Sequence, residues 1–200
     1  MLNPKPTLII IAGPNGSGKT TITSKVLKHE WVEGCVYINP DEIAKEIFGN
    51  WNSPEAVLKA AIYALEMREK CLLEKKSLIF ETVFSSGEKL EFILKAQKAG
   101  YFIQLFFVAT NHPSINASRI ARRILEGGHD VPISKIISRY SKSINNCRIA
   151  SKIIDGLYIY DNSIDFEEAT LLFRASNGKV TKKYGKINDW AMPIFDALIG

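Results

Sequence analysis

Residues 7–21 read TLIIIAGPNGSGKTT. Five apolar residues, Leu8 to Ala12, run into the octet Gly13, Pro14, Asn15, Gly16, Ser17, Gly18, Lys19 and Thr20, with Thr21 directly behind it. The octet satisfies the pattern G-x-x-x-x-G-K-[ST]. A short β-rich run before it and an amphipathic stretch from Lys19 to about His29 after it supply the strand, loop and helix that the pattern requires. Glycines let successive backbone N–H groups turn inward around a phosphate, and the following helix N-terminus adds about half a positive charge. Lys19 then reaches the β- and γ-phosphates, and the Thr20 hydroxyl ligates Mg²⁺. Average residue usage puts a chance match in a chain of this length on the order of one per cent. The stretch is read as a nucleoside triphosphate site.

Outward from the loop, strands and helices alternate. Cys35–Ile38 is a short second strand, and Asn39-Pro40-Asp41-Glu42 opens a helix with Asn39 at the N-cap and Glu42 at capping-box spacing. Ser53-Pro54-Glu55 starts a long helix whose apolar positions recur at helical spacing. Ser77–Glu81 is a third strand, residues 87–100 a helix, and Phe102–Ala109 a nearly all-apolar fourth strand. Helical stretches at 114–126 and 133–150 flank a Gly-Gly-His-Asp-Val-Pro break, and Leu157–Tyr160 is a fifth strand. Residues 169–175 and a closing helix from Asp189 make up the remainder. Such alternation implies an α/β fold with a parallel five-stranded sheet covered on both faces, where ligands gather at the carboxyl ends of the strands.

Two hundred residues, 46% of them hydrophobic, suit one domain with a sizeable core, taken as 1–200. Cys35, Cys71 and Cys147 lack metal-ligand spacing and read as core residues in a reducing compartment. Leu8–Ala12 is too short for a signal peptide, and no apolar run approaches the roughly 20 residues of a membrane span. The expectation is a cytoplasmic protein without a membrane partner. A net charge of +5 admits an anionic ligand. That charge is spread thinly, however, and the locally basic stretch Lys179–Lys186 is what a solvated turn looks like.

The strand ends supply the candidate chemistry. Asp41, beyond strand two, is either a helix-start acid or a base for a substrate hydroxyl. Glu81 and Thr82 end strand three, and a carboxylate closing an apolar run is costly to bury unless it meets a cation, a hydroxyl or Mg²⁺. After strand four, Arg119, Arg122 and Arg123 share one side of a helix. Ordinarily that is a solvated face. Beside the Gly127-Gly128 hinge it also suits a lid that neutralises a moving phosphoryl group, with His129 and Arg139 lining it. Asp161-Asn162-Ser163 reads as a turn or as a contact to the nucleotide base.

Taken together, the motifs resemble the zeta toxin family of P-loop kinases, in a compact form. The matching pieces are AGPNGSGKTT (12–21), NPDEIA (39–44), FETVFSS (80–86), RIARRILEGGHDVP (119–132), RYSKSINN (139–146) and YDNS (160–163). The resemblance implies an adenylate-kinase-like P-loop fold that uses ATP and Mg²⁺ to phosphorylate the amino sugar of UDP-N-acetylglucosamine, held inactive by an antitoxin. It also implies a catalytic base at Asp41, a substrate-binding glutamate at Glu81, and a lid arginine at Arg119 or Arg123. The second family arginine lacks a clean counterpart, since the best placement brings His129 there, with Arg139 further along.

The reading is therefore a P-loop kinase with a helical lid at about 113–150, transferring the γ-phosphate of ATP to a hydroxyl compound, a nucleotide sugar by resemblance. Asp41 takes the proton, Lys19 with Arg119 or Arg123 stabilises charge, and Glu81, Thr82 and Asp41 hold the acceptor. Two alternatives stand beside it. One is a kinase acting on RNA or other nucleic-acid ends, motivated by the net charge. The other is a non-catalytic ATP-dependent binding module, which needs Lys19 but has no use for Asp41 and Glu81.

Overall fold

The computed structural model describes residues 5–49, 53–127 and 131–200. Its elements run β1 (Thr7–Ala12), α1 (Lys19–Val26), a 3₁₀ turn (Glu30–Val32), β2 (Val36–Ile38), α2 (Pro40–Glu46), α3 (Pro54–Glu74), β3 (Leu78–Thr82) and α4 (Gly87–Lys98). Then come β4 (Phe102–Ala109), α5 (Pro113–Leu125), α6 (Ile133–Ala150), β5 (Gly156–Asp161), β6 (Thr170–Ser176), β7 (Lys179–Lys183) and α7 (Met192–Ile199). The strands form one sheet in the order β2-β3-β1-β4-β5-β6-β7. The first five are parallel, with β1 in the middle between β3 and β4.

β1 shows why its sequence is apolar at every position. Leu8, Ile10 and Ala12 face a core shared with Phe80, Leu105 and Phe107 and covered by α3, α4, α6 and α7. Ile9 and Ile11 face a second core, against Ile22 and Val26 of α1. A strand buried on both sides has no polar face to show. The helix starts follow the N-cap chemistry read from the sequence. Asn39 Oδ1 accepts from Asp41 N at 3.0 Å, and Ser53 Oγ accepts from Ala56 N at 3.4 Å.

The sheet has seven strands, not five, and the last two are antiparallel. β6 and β7 form a hairpin through Asn177 and Gly178, at φ 47° and 72°. Two consecutive positive φ angles are what a two-residue hairpin turn needs, and Asn-Gly supplies them at little cost. β7 is the edge of the sheet, and its lysines, mostly exposed, blunt that edge against further pairing. The basic run read as a solvated turn is thus a solvated edge strand.

The helical segment at 113–150 is fastened unevenly. Cys147 and Ala150 at the far end of α6 are buried in the main core. Nearer the break, Ile120, Val131 and Ile136 form a small cluster of their own. On α6, Ser143 Oγ donates to Val83 O at 2.6 Å, and Asn146 Nδ2 donates to Phe84 O at 2.9 Å.

Trp190, in the turn before α7, packs 6.1 Å from the Phe107 ring, and its Nε1 donates to Asp161 Oδ1 at 2.9 Å. Trp190→Ala is expected to cost about 3–5 kcal/mol, the usual penalty for emptying a large aromatic site. Urea titration should show a lower midpoint in a single transition with an unchanged slope. A separate early transition, with the main one unmoved, would mean that the last strands and α7 melt independently of the parallel sheet.

Candidate active site

The loop after β1 begins with Gly13, whose N–H donates to Thr82 O at 3.3 Å. A Cβ on Gly13 would stand 2.0 Å from Val108 O, so only glycine lets β1 leave the sheet at this point. Gly18, at φ 96°, closes the loop and caps α1; a Cβ there would stand 2.2 Å from Asn162 Nδ2. Between them, Ser17 N donates to Pro14 O at 3.3 Å. The amides of Gly16, Gly18 and Lys19 donate to none of the described residues. Unpaired N–H groups at a helix N-terminus form a cradle for an anion.

Lys19 folds back over this cradle. Its Nζ donates to Gly13 O at 3.1 Å and Pro14 O at 3.0 Å. Burial pushes its ammonium pKa down to about 8, against the opposing pull of the Glu81 and Asp41 carboxylates, while Arg123 and Arg139 push in the same direction as burial. The carboxylates of Glu81 and Asp41 and the guanidinium groups of Arg123 and Arg139 are therefore near enough to act electrostatically on Lys19.

The acidic side is built on β2, β3 and α2. Glu81 is 8% exposed and accepts from the Tyr37 hydroxyl at 2.9 Å. Tyr37 in turn accepts from Asn39 Nδ2 at 3.0 Å and lies 3.3 Å from Glu42 Oε1. Asn39 Nδ2 also reaches Glu42 Oε1 at 3.2 Å. Glu42 thus takes side-chain donors, and no capping-box bond back to the Asn39 N–H is formed. Burial, with the neighbouring carboxylates, pushes the Tyr37 phenol well above its ordinary range, and burial pushes the Glu42 carboxyl up. Asp41 sits exposed in the first turn of α2. Thr82 is half-buried, and its Oγ1 accepts from Phe84 N at 3.1 Å, shaping the turn in which Phe84 adopts φ 62°. Thr20 and Thr21 are exposed at the start of α1.

The arginines divide. Arg119 donates to Asp165 Oδ1 at 2.7 Å, Asn162 O at 2.8 Å and Ile164 O at 3.3 Å. Arg122 donates to Asp165 Oδ2 at 3.0 Å and lies 5.2 Å over the Phe166 ring. The two guanidinium groups hold the Asp165 carboxyl below its ordinary range. Arg119 is thereby engaged with the β5–β6 loop rather than standing free above the phosphate cradle. Arg123 acts on Lys19, as does Arg139, whose Nη1 approaches Asn15 Oδ1 at 3.5 Å. His129 and Gly128 lie outside the described residues.

Two contributors escape sequence reasoning, and a third is placed differently from its reading. Tyr37 looks like any aromatic strand residue. Asn116 looks like a polar position on α5, yet it is fully buried. Asn162 reads as part of a turn or of a contact to the nucleotide base; its side chain instead packs against Gly18 and donates to Ser17 O at 2.9 Å.

The sequence matches the family described as Zeta toxin over residues 2–166. Over 133 residues it is 27% identical to an uncharacterized protein of Haemophilus influenzae, covering 66% of this chain and 91% of that one. Among solved structures, a chain of the PezAT chromosomal toxin–antitoxin system of Streptococcus pneumoniae superposes with a TM-score of 0.64 at 18% identity, over 98% of this chain and 78% of that one. A chain of AvrRxo1-ORF1:-ORF2 with ATP gives 0.64 at 18% identity, over 88% and 60%. A chain of the Pnkp1/Rnl/Hen1 RNA repair complex gives 0.57 at 19% identity, over 72% and 46%. At such identities the likeness is one of fold.

The lowered pKa of Lys19 makes a signed prediction. Above pH 8 the free amine is partly neutral, and a bound polyanion favours its charged form, so binding must take up a proton. Calorimetry at pH 8.5, in two buffers of different ionisation enthalpy, should show proton uptake with ATP in the wild type and less in Lys19→Met. The difference should fade by pH 6.5, where the free amine is already charged. Equal proton counts for both proteins at pH 8.5 would place the lysine away from the phosphates.

Proposed function

The chain belongs to the zeta toxin family, and from that premise we propose that it is an ATP-dependent phosphotransferase acting on a hydroxyl of a small molecule, with a nucleotide sugar as the acceptor class. The observation that carries the reading is a loop of unpaired amides with Lys19 folded onto it, flanked by Glu81 on the neighbouring strand β3 and by Asp41 on the first turn of α2, both near enough to act on the lysine's charge. A binding module has no use for two acids at that point. A phosphotransferase uses one to accept the hydroxyl proton and the other to hold the acceptor.

In this reading the loop amides and Lys19 grip the β- and γ-phosphates. Arg123 and Arg139 neutralise charge that spreads over the phosphoryl oxygens in a loose transition state. Arg119 supports them indirectly, since its own donors are engaged with Asp165 and two carbonyls. Asp41, exposed on the first turn of α2, accepts the proton. Glu81, held by Tyr37, orients the acceptor hydroxyl. The described residues include no group of three His, Cys, Asp or Glu side chains able to hold a metal by themselves. The Thr20 hydroxyl, exposed beside the loop, is the ligand this chain offers, and the phosphate oxygens would complete the set. Magnesium held in that way would supply further neutralisation of the phosphate charge.

Support for ATP as donor comes from the similarly folded AvrRxo1-ORF1:-ORF2, solved with ATP, and support for an antitoxin partner from the PezAT system. None of the described helices is long and apolar enough to cross a membrane. The second reading, a kinase of RNA ends, has the Pnkp1 likeness and the net charge of +5 on its side. It requires affinity for RNA that falls steeply with salt, because phosphate contacts release counterions. Mass spectrometry of a metabolite extract incubated with protein and ATP identifies the acceptor directly, as a species gaining one phosphate.

Asp41→Asn separates base from helix acid. Removing a first-turn acid alone costs about 0.3–1 kcal/mol of stability and leaves turnover nearly intact. Removing a general base lowers turnover roughly 10²–10⁴-fold while ATP affinity persists. Transfer rate and ATP dissociation constant, measured together, decide the matter. A variant within about threefold of the wild-type rate, far short of that range, would hand the role to another group, with Glu81 the next to test.

A further inference from the structure

Two carbonyl groups of the phosphate loop are held from outside by side-chain amides. Asn116, fully buried on α5, donates from Nδ2 to Asn15 O at 2.6 Å. Asn162, just beyond β5, donates from Nδ2 to Ser17 O at 2.9 Å. Both residues are themselves anchored, Asn116 through its carboxamide and Asn162 through its backbone. Asn116 Oδ1 accepts from the Thr110 hydroxyl, and Thr110 O accepts from the Tyr140 hydroxyl. The Asn162 backbone donates to Ala109 O at 2.8 Å, and its carbonyl takes Arg119 Nη1, also at 2.8 Å.

A trans peptide is planar, so the C=O of one residue and the N–H of the next point to opposite sides. Holding the Asn15 carbonyl outward therefore aims the Gly16 N–H inward, and holding the Ser17 carbonyl outward does the same for the Gly18 N–H. These are among the amides that donate to none of the described residues. Sterics agree with the hydrogen bonds. The side of Gly18 that a Cβ would occupy is filled by Asn162 Nδ2 at 2.2 Å, and that of Gly16 by the Asn116 backbone oxygen at 2.7 Å. Resting on the proposed phosphotransferase reading, we infer that Asn116 and Asn162 are positioning residues, which lock the two peptide units so that the cradle is formed before an anion enters. Without these donors the loop peptides would have to be reoriented at the moment of binding, and the affinity for phosphate would carry that cost.

Asn162→Ala in the full chain is the informative variant, since it removes the donor and adds no bulk beside Gly18. Asn116 is too deeply buried for a first test. With ATP, and separately with inorganic tripolyphosphate, the dissociation constant should rise roughly three- to tenfold, the range of one neutral hydrogen bond. In the transfer assay the loss should fall on the ATP KM rather than on kcat at saturation. In the free protein the Gly18 amide signal should shift or broaden in a ¹H–¹⁵N spectrum, while signals of β3 and α4 stay in place. An unchanged Gly18 signal, or wild-type affinity for tripolyphosphate, overturns the inference. So does a variant that loses thermal stability while its Gly18 signal and ATP KM are unmoved, for that is the mark of a merely structural residue. If the wild type binds neither ATP nor tripolyphosphate, the phosphotransferase reading fails. The Gly18 signal of the free protein still decides whether Asn162 orients the peptide.

Discussion

The site depends on how closely two backbones approach at the end of the sheet. Gly13 passes so near to Val108 O that a methyl group would overlap it, at 2.0 Å. That contact lets the chain leave the central strand immediately after Ala12, between the carboxyl ends of β3 and β4. The Gly13 N–H, bonded to Thr82 O, ties the same point to the other neighbouring strand. The loop is thereby fixed against both flanking strands, one carrying Glu81 and Thr82 and the other leading to α5. Any larger residue at 13 would push β1 and β4 apart and carry Lys19 away from Glu81.

The charges around Lys19 are balanced rather than neutralised pairwise. Two carboxylates raise its proton affinity, while burial and two guanidinium groups lower it, and the net result lies below the ordinary amine value. Such an arrangement leaves cationic donors in want of an anion, which the triphosphate would supply. The acids are kept distinct by their surroundings. Glu81 is buried and held by Tyr37, whose hydroxyl also borders Glu42. Asp41 is exposed, and its backbone rather than its carboxylate is what the N-cap engages. In the proposed reaction the held carboxylate orients the acceptor and the exposed one takes the proton.

Much of this was legible because local signals agreed with one another. The loop, β1 buried on both faces, and the Asn39 and Ser53 caps each follow from residues adjacent in sequence. What failed was non-local or weakly patterned. The β6–β7 hairpin hides in a polar, lysine-rich segment, whose local signal is the Asn177-Gly178 turn. The run of arginines gave no means of telling Arg119 from Arg123, since helical spacing places both on one side. Only the position of Asp165, 46 residues from Arg119 along the chain, separates them. Tyr37 and Asn116 acquire their roles from partners 44 and 101 residues away. Periodicity cannot carry such information.

The last third of the sheet then takes on a meaning that its sequence conceals. Residues beyond 166 lie outside the family match, yet they brace the turn on which the loop leans. Trp190 donates to Asp161 Oδ1, the same oxygen that accepts from Ser163 Oγ at 2.7 Å. Ser163 Oγ in turn accepts from Asn111 N, and Asn111 is held by Asn188 at 3.0 Å. Between Asp161 and Ser163 lies Asn162, whose amide holds Ser17 O and whose carbonyl holds Arg119. A segment remote from the phosphate loop in sequence thus fixes the turn that holds the loop from outside. The hairpin and α7 extend the fold, and the turn that joins them, through Trp190 and Asn188, also bears on the geometry of the site.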